Sequence, residues 1–188
     1  MSSKSFPFPG RDLAVRELAS DPCYARIPES DRSVIADAAW DKGASAARMV
    51  FERTGGEGDF RAILSSDGVS VVERDVDNVV GGQRYFSDYV SGRHEITLYL
   101  RSVGMWADQN HLGVDEAINL ILAHEYYHHL ECDEIGLASR EYQVPMVQAG
   151  PLRLGHTGIR ALSEIGAHAF VRTYHDLLRR GKGEEAKA

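Results

Sequence analysis

Apolar residues along this chain recur with two different periods, and the change from one to the other divides it into elements. Leu13, Val15 and Leu18 repeat at helical spacing and predict a short helix over 11–19, stopped by Asp21-Pro22. A longer helix follows, from the N-cap candidates Ser30 and Asp31 through Val34, Ile35, Ala38, Ala39, Ala46, Met49 and Val50 to a stop at Gly55-Gly56. Gly43 in its middle either permits a close helix contact or is a tolerated cost. Between Gly68 and Leu100 the runs become short and rich in β-branched and aromatic residues, which predicts strands over 69–73, 84–90 and 94–100 separated by Gly81-Gly82 and Ser91-Gly92. In the last of these Ile96, Leu98 and Leu100 alternate with Glu95, Thr97 and Tyr99, as in a strand with one buried face.

A short helix is expected over 103–109. Residues 115–131, DEAINLILAHEYYHHLE, contain no Gly or Pro and are apolar almost all round from Ala117 to Ala123, so they predict a buried helix. The Gly- and Pro-punctuated stretch 133–158 reads as mostly loop, long enough to suggest a functional role, and a final helix is expected over 159–180. The tail 181–188 is charged and Gly-broken and is expected to be disordered. The fold class is α+β: N-terminal helices, a small, mostly antiparallel three-stranded sheet, a buried helix and a C-terminal helix, in a single domain over 1–180.

Composition narrows the function classes. With 188 residues, 43% hydrophobic and 26% charged, the chain has the balance of one globular domain. Lys and Arg number 21 against 28 Asp and Glu, a net charge of -7 with the cations scattered, which disfavours nucleic acid as a partner. No apolar run approaches a membrane span and the start MSSKSFPFPG lacks the apolar core of an export signal, so no membrane partner and a cytoplasmic location are expected. Two cysteines, Cys23 and Cys132, cannot form a disulfide framework. Eight histidines stand out, because imidazole is both a metal ligand and a base near neutral pH.

On the buried helix, His124, Glu125 and His128 form H-E-x-x-H. Residues four apart lie about 6 Å along a helix axis on nearly one face, so both imidazoles can meet a single ion at ~2.0–2.1 Å. Glu125 lies about 100° round from His124, where it can reach a water at the ion without ligating the ion itself. Two unpaired imidazoles in so apolar a helix would cost desolvation energy unless ligated or hydrogen-bonded. A catalytic site needs a third protein ligand. The metzincin solution requires glycine at position 131 and histidine at position 134, where this chain has Glu131 and Glu134. The other common solution takes a Glu from a later helix, and the final helix offers Glu164 in ALSEIGAHAF.

On HEYYH and the later E-x-x-A-x-x-F of Glu164, Ala167 and Phe170, the chain resembles the ImmA/IrrE-like zinc metallopeptidases, a gluzincin group of zincin-like fold, over about residues 34–178. The resemblance implies one Zn2+ held by His124, His128 and Glu164, with Glu125 as general base in hydrolysis of a peptide or protein substrate. It also implies that the strand 94–100 is the edge strand along which an extended peptide lies.

The final helix presents a difficulty. Leu162, Ile165, Gly166, Ala169, Phe170, Thr173 and Leu177 form its main apolar stripe, and Glu164 lies nearly opposite. For Glu164 to reach the ion, this helix must be buried on both sides, as Ala161, Val171 and Leu178 permit. His168, one turn on, can orient a ligand, donate a hydrogen bond to the transition state, or replace Glu164. His129 and Glu131 are expected to be helix-face polar residues, Tyr126 and Tyr127 packing residues, and His94, His111, His156 and His175 surface or capping residues. His156 and Tyr142 are weaker candidates for oxyanion donors. Two other readings stand beside the peptidase: a catalytically silent metal-binding or interaction module, in which Cys132 closes the coordination sphere, and a metal-dependent hydrolase of some other bond.

Overall fold

A computed structural model describes residues 6–149 and 152–185. Behind a 3-10 turn at Arg11–Leu13, α1 spans Ala14–Leu18, and α2 spans Glu29–Arg53. Pro28, with φ -52°, sets the entry to α2, so neither Ser30 nor Asp31 caps it. Asp31 instead accepts the Tyr142 hydroxyl proton at 2.6 Å. A helix that the periodicity did not predict, α3 (Phe60–Ser66), is too short to show a period, yet Asp59 caps it through the Arg61 N–H and it buries Phe60, Ile63 and Leu64.

The strands are β1 (Ser70–Arg74), β2 (Asn78–Val80), β3 (Gln83–Tyr85), β4 (Ser87–Val90) and β5 (Glu95–Tyr99). The predicted strand 84–90 is thus two: β3 closes a hairpin with β2 across Gly81-Gly82, both at positive φ as such a turn requires, and β4 joins the sheet. The three-stranded sheet has the order β1-β5-β4, with β1 parallel and β4 antiparallel to β5. The strand at 94–100 is therefore central rather than an edge, and the edges of the sheet are β1 and β4. Being central, β5 buries Thr97 along with Ile96 and Leu98, and Leu100 leaves the strand to open α4 (Leu100–Asn110).

The apolar helix is α5 (Val114–Leu130), prolonged by a π-helical turn at Glu131–Ile135. The segment 133–158 is not mostly loop. It holds a 3-10 turn at Ala138–Arg140 and an antiparallel hairpin of β6 (Gln143–Ala149) and β7 (Leu152–Gly158). Pro145 and the glycines conceal it, since a hairpin standing off the main sheet tolerates Pro where no ladder donor is needed. The last helix, α6, spans Ala161–Glu185. Its backbone runs into the stretch expected to be disordered, because extending an anchored helix over a glycine costs only about 1 kcal/mol; residues 186–188 of that expectation lie outside the described residues.

Two apolar clusters hold these elements. One joins Leu122, Tyr126 and Tyr127 of α5 to Phe170 and Tyr174 of α6 and to Ile96 and Leu98 of β5. The other joins α1 and the first half of α2 to Leu162 and Ile165 of α6. Helices α2 and α6 cross where a Cβ on Gly43 would stand 1.9 Å from the Gly166 carbonyl oxygen, so Gly43 serves close packing. With Ala161, Leu162, Ile165, Ala167, Phe170 and Val171 all buried, α6 is covered on both sides, the condition that Glu164 needs. Among the described residues the architecture is α+β with six α-helices and small, mostly antiparallel sheets. Among the described residues no helix is long and apolar enough to cross a membrane.

Candidate metal centre

The i, i+4 spacing on α5 aims both motif imidazoles into one cleft of about 730 Å³, which Glu125, Glu164 and His168 also line. His124 Nε2 and His128 Nε2 lie 3.2 Å apart. Glu164 presents Oε2 at 3.3 Å from His124 Nε2 and Oε1 at 3.7 Å from His128 Nε2. Around a tetrahedral ion with ~2.0–2.1 Å bonds, neighbouring ligand atoms are roughly 3.3 Å apart. Each pairwise separation is near this value, with Glu164 turning a different oxygen toward each imidazole. The Nδ1 of His124 is buried with no hydrogen-bond partner among the described residues, so among them the polarity of that ring is met at Nε2, inside the cluster.

The trio that brings one potential ligand atom each within 4.8 Å of one another is His124, Glu164 and His168, so His168 stands as close to the pair as a third ligand would, the role in which the sequence also allows it to replace Glu164. Burial, then the like charge of His124, lowers His168 to about 3. Burial works against the charge on Glu164, but the hydrogen bond and charge of His124 and the charge of His128 hold its carboxyl down at about 2. Burial likewise opposes protonation of His128, yet its hydrogen bond to Glu131 and the charges of Glu125 and Glu164 push it up to about 9. Each perturbation expresses a carboxylate and imidazoles crowded into one place.

Glu125, in the same cleft, is hydrogen-bonded to the sheet. Ser87 Oγ, on β4, donates to Glu125 Oε1 at 2.6 Å. Glu131 is not a helix-face residue. It is 1% exposed, its Oε2 lies 3.1 Å from His128 Nδ1, and its Oε1 accepts from the Ala138 N–H at 2.7 Å and the Ser163 hydroxyl at 3.0 Å. A carboxylate behind a ligating imidazole fixes the ring's orientation and raises its basicity. The cue was its position three residues after His128, on the same face.

The sequence also hid Phe8, whose ring stacks on His124, and Glu17 of α1, raised by burial and then by the charge of Glu164. Tyr126 and Tyr127 are fully buried packing residues, as expected. His111 caps α4 in the left-handed conformation. Tyr142 is engaged by Asp31, and neither it nor His156 lines the cleft. Cys132 lines it but is absent from the ligand groups found among the described residues.

Comparison with protein-family models, with curated proteins and with solved structures returns no match.

Proposed function

We propose that this chain is a zinc-dependent peptidase of the ImmA/IrrE-like, zincin type, acting on an extended peptide or protein segment. The observation that carries the reading is the His124, His128 and Glu164 cluster with Glu125 beside it, held by a serine on β4, the edge strand that lines the cleft. An ion bound there supplies Lewis acidity to the scissile carbonyl and to the attacking water.

The remaining work falls to side chains. Ser87 fixes the Glu125 carboxylate, which takes the proton from the attacking water and passes it to the leaving amine. Glu131, anchored by the Ala138 N–H and Ser163, holds the His128 ring in register. His168 of α6, which lines the same cleft as Glu125, donates to the substrate oxygen as negative charge develops there. An extended substrate pairs with β4, whose Ser87, Asp88 and Tyr89 line the cleft, by adding a strand to the sheet. The strand expected for this role, 94–100, is occupied on both sides.

Elemental analysis of the purified, untagged chain is expected to give one zinc ion per chain, lost in His124→Ala and Glu164→Ala. Glu125→Gln is expected to keep the metal and to lose roughly 10²–10⁴-fold in hydrolysis of a library of unstructured peptides. Equal hydrolysis by Glu125→Gln would overturn the general base. Failure to bind or recover any metal would overturn the reading as a whole.

A further inference from the structure

The last turn of α5 and the π-helical turn that prolongs it carry a second pair of potential ligands. His129 and Asp133 are spaced i, i+4, as His124 and His128 are, but five residues further on and so about 140° further round the helix, where they face the β4–β5 connection rather than the cleft. That connection brings His94 to meet them. His94 Nε2 lies 3.2 Å from Asp133 Oδ2, and His129 Nδ1 lies 3.7 Å from the same oxygen. Ligand atoms of the three residues fall within 4.8 Å of one another, and the two imidazoles sit 5.4 Å apart, edge to face. These separations match the roughly 3.3 Å ligand spacing around a tetrahedral ion as well as those of the candidate centre do.

The backbone holds the three residues in advance. His94 has φ 48° and ψ 52°, a left-handed conformation that costs a non-glycine residue about 1 kcal/mol or more. It is retained there by its own N–H donating to the Ser91 carbonyl at 3.2 Å and its carbonyl accepting the Ser70 N–H at 2.8 Å. His129 is 6% exposed in a rigid helix, and Asp133 sits in the π-helical turn that continues it. Ordering such a trio is the main entropic cost of a metal site, and here folding has already met it.

We propose that His94, His129 and Asp133 form a second site for a zinc-class divalent ion, separate from the His124 centre. Two imidazoles and one carboxylate select Zn2+, Co2+ or Ni2+ over Mg2+ and Ca2+, which require oxygen ligands. The opening of His94 and Asp133 to solvent, 45% and 36% exposed, makes this the weaker and exchangeable of the two sites. Its place gives the ion a role. Tyr89, on the cleft-lining strand β4, holds its hydroxyl 2.9 Å from His129 Nδ1, and an ion ligated by that nitrogen takes the lone pair that the hydroxyl now uses. Occupancy therefore ties the β4–β5 turn to the end of α5 and frees Tyr89 toward the cleft.

The test is titration of the untagged, metal-stripped chain with Zn2+ against a chromophoric chelator, read as equivalents bound. Wild type is expected to take up one equivalent more than His94→Ala or Asp133→Asn. His124→Ala is expected to keep the weaker equivalent, so that failure of the first centre is distinguishable from failure of the second. Tyr89→Phe, which removes the competing hydroxyl, is expected to bind the weaker equivalent more tightly, an effect that a mere His–Asp ion pair would not produce. Thermal melts without metal verify that each variant is folded. The proposal is overturned if wild type, His94→Ala and Asp133→Asn take up equal amounts, or if Tyr89→Phe loses the equivalent.

Discussion

The ring of Phe8 lies stacked on the imidazole of His124, with centroids 5.7 Å apart and planes inclined by 16°. The same ring stands 5.5 Å from His168 and edge-on to Trp106 at 5.5 Å. Arg172 anchors this segment by donating to the Phe8 carbonyl at 2.8 Å, and its guanidinium lies 5.1 Å from the Phe6 ring centre. Phe8 thus shields a proposed ligand from one side. An aromatic pair is worth ~0.5–1.5 kcal/mol, so Phe8→Ala is expected to speed zinc release to a chelator by up to about tenfold. An unchanged release rate in stopped flow would show that the ring shields nothing.

Ser87 is predicted to act through Glu125. Loss of a hydrogen bond to a charged group costs about 1.5–3 kcal/mol, so Ser87→Ala is expected to lower kcat by roughly tenfold or more, with KM little changed. Ser87→Thr, which keeps the hydroxyl, is expected to recover most of the rate. A fall confined to KM would instead assign Ser87 to substrate binding.

Glu131→Gln keeps the volume and an acceptor for the Ala138 N–H but removes the charge behind His128. Zinc affinity is expected to fall by about 10–100-fold, measured by chelator competition. An unaltered affinity would reduce the Glu131 contact to packing.

Glycine substitutions at two helical positions should have opposite signs. At Gly43 an added methyl meets the Gly166 backbone, which has no rotamer to yield, and Gly43→Ala is expected to destabilise by at least ~1–3 kcal/mol. Gly104 in α4 has nothing within 4 Å of an added Cβ, and Gly104→Ala is expected to stabilise by about 0.4–1 kcal/mol. Urea midpoints at constant m separate the two.

Elements whose burial pattern is local were legible in the sequence, and those whose definition depends on distant neighbours were not. The uninterrupted apolar surface of residues 117–123 identified α5, and i, i+4 geometry alone predicted that His124 and His128 would converge. Glu164 was reachable only on the condition that α6 be buried twice, which depends on α2 packing behind it. Strand order has no local signature; the family resemblance implies an edge position for 94–100, whereas β1 and β4 fill both flanks of β5. Glu131 reads as polar surface because the carbonyl-side turn that buries it, with Ala138 and Ser163, arrives from elsewhere in the chain. Phe8 lies more than a hundred residues from the histidine that it covers.

The crossing of Gly43 with Gly166 bears on the order of events during synthesis. His124 and His128 come from a helix complete in itself, whereas Glu164 and His168 ride on α6, whose depth and rotation are set by its seat against α2. As the chain emerges, residues 29–53 appear first and wait, and the histidine pair follows with only half a binding site. If the proposed centre binds metal, tight loading would become available only once the last helix has closed against one of the first. Metal affinity would in this sense be a checkpoint on assembly, and a truncated or misdocked chain would lack the proposed chemistry rather than keep a degraded form of it.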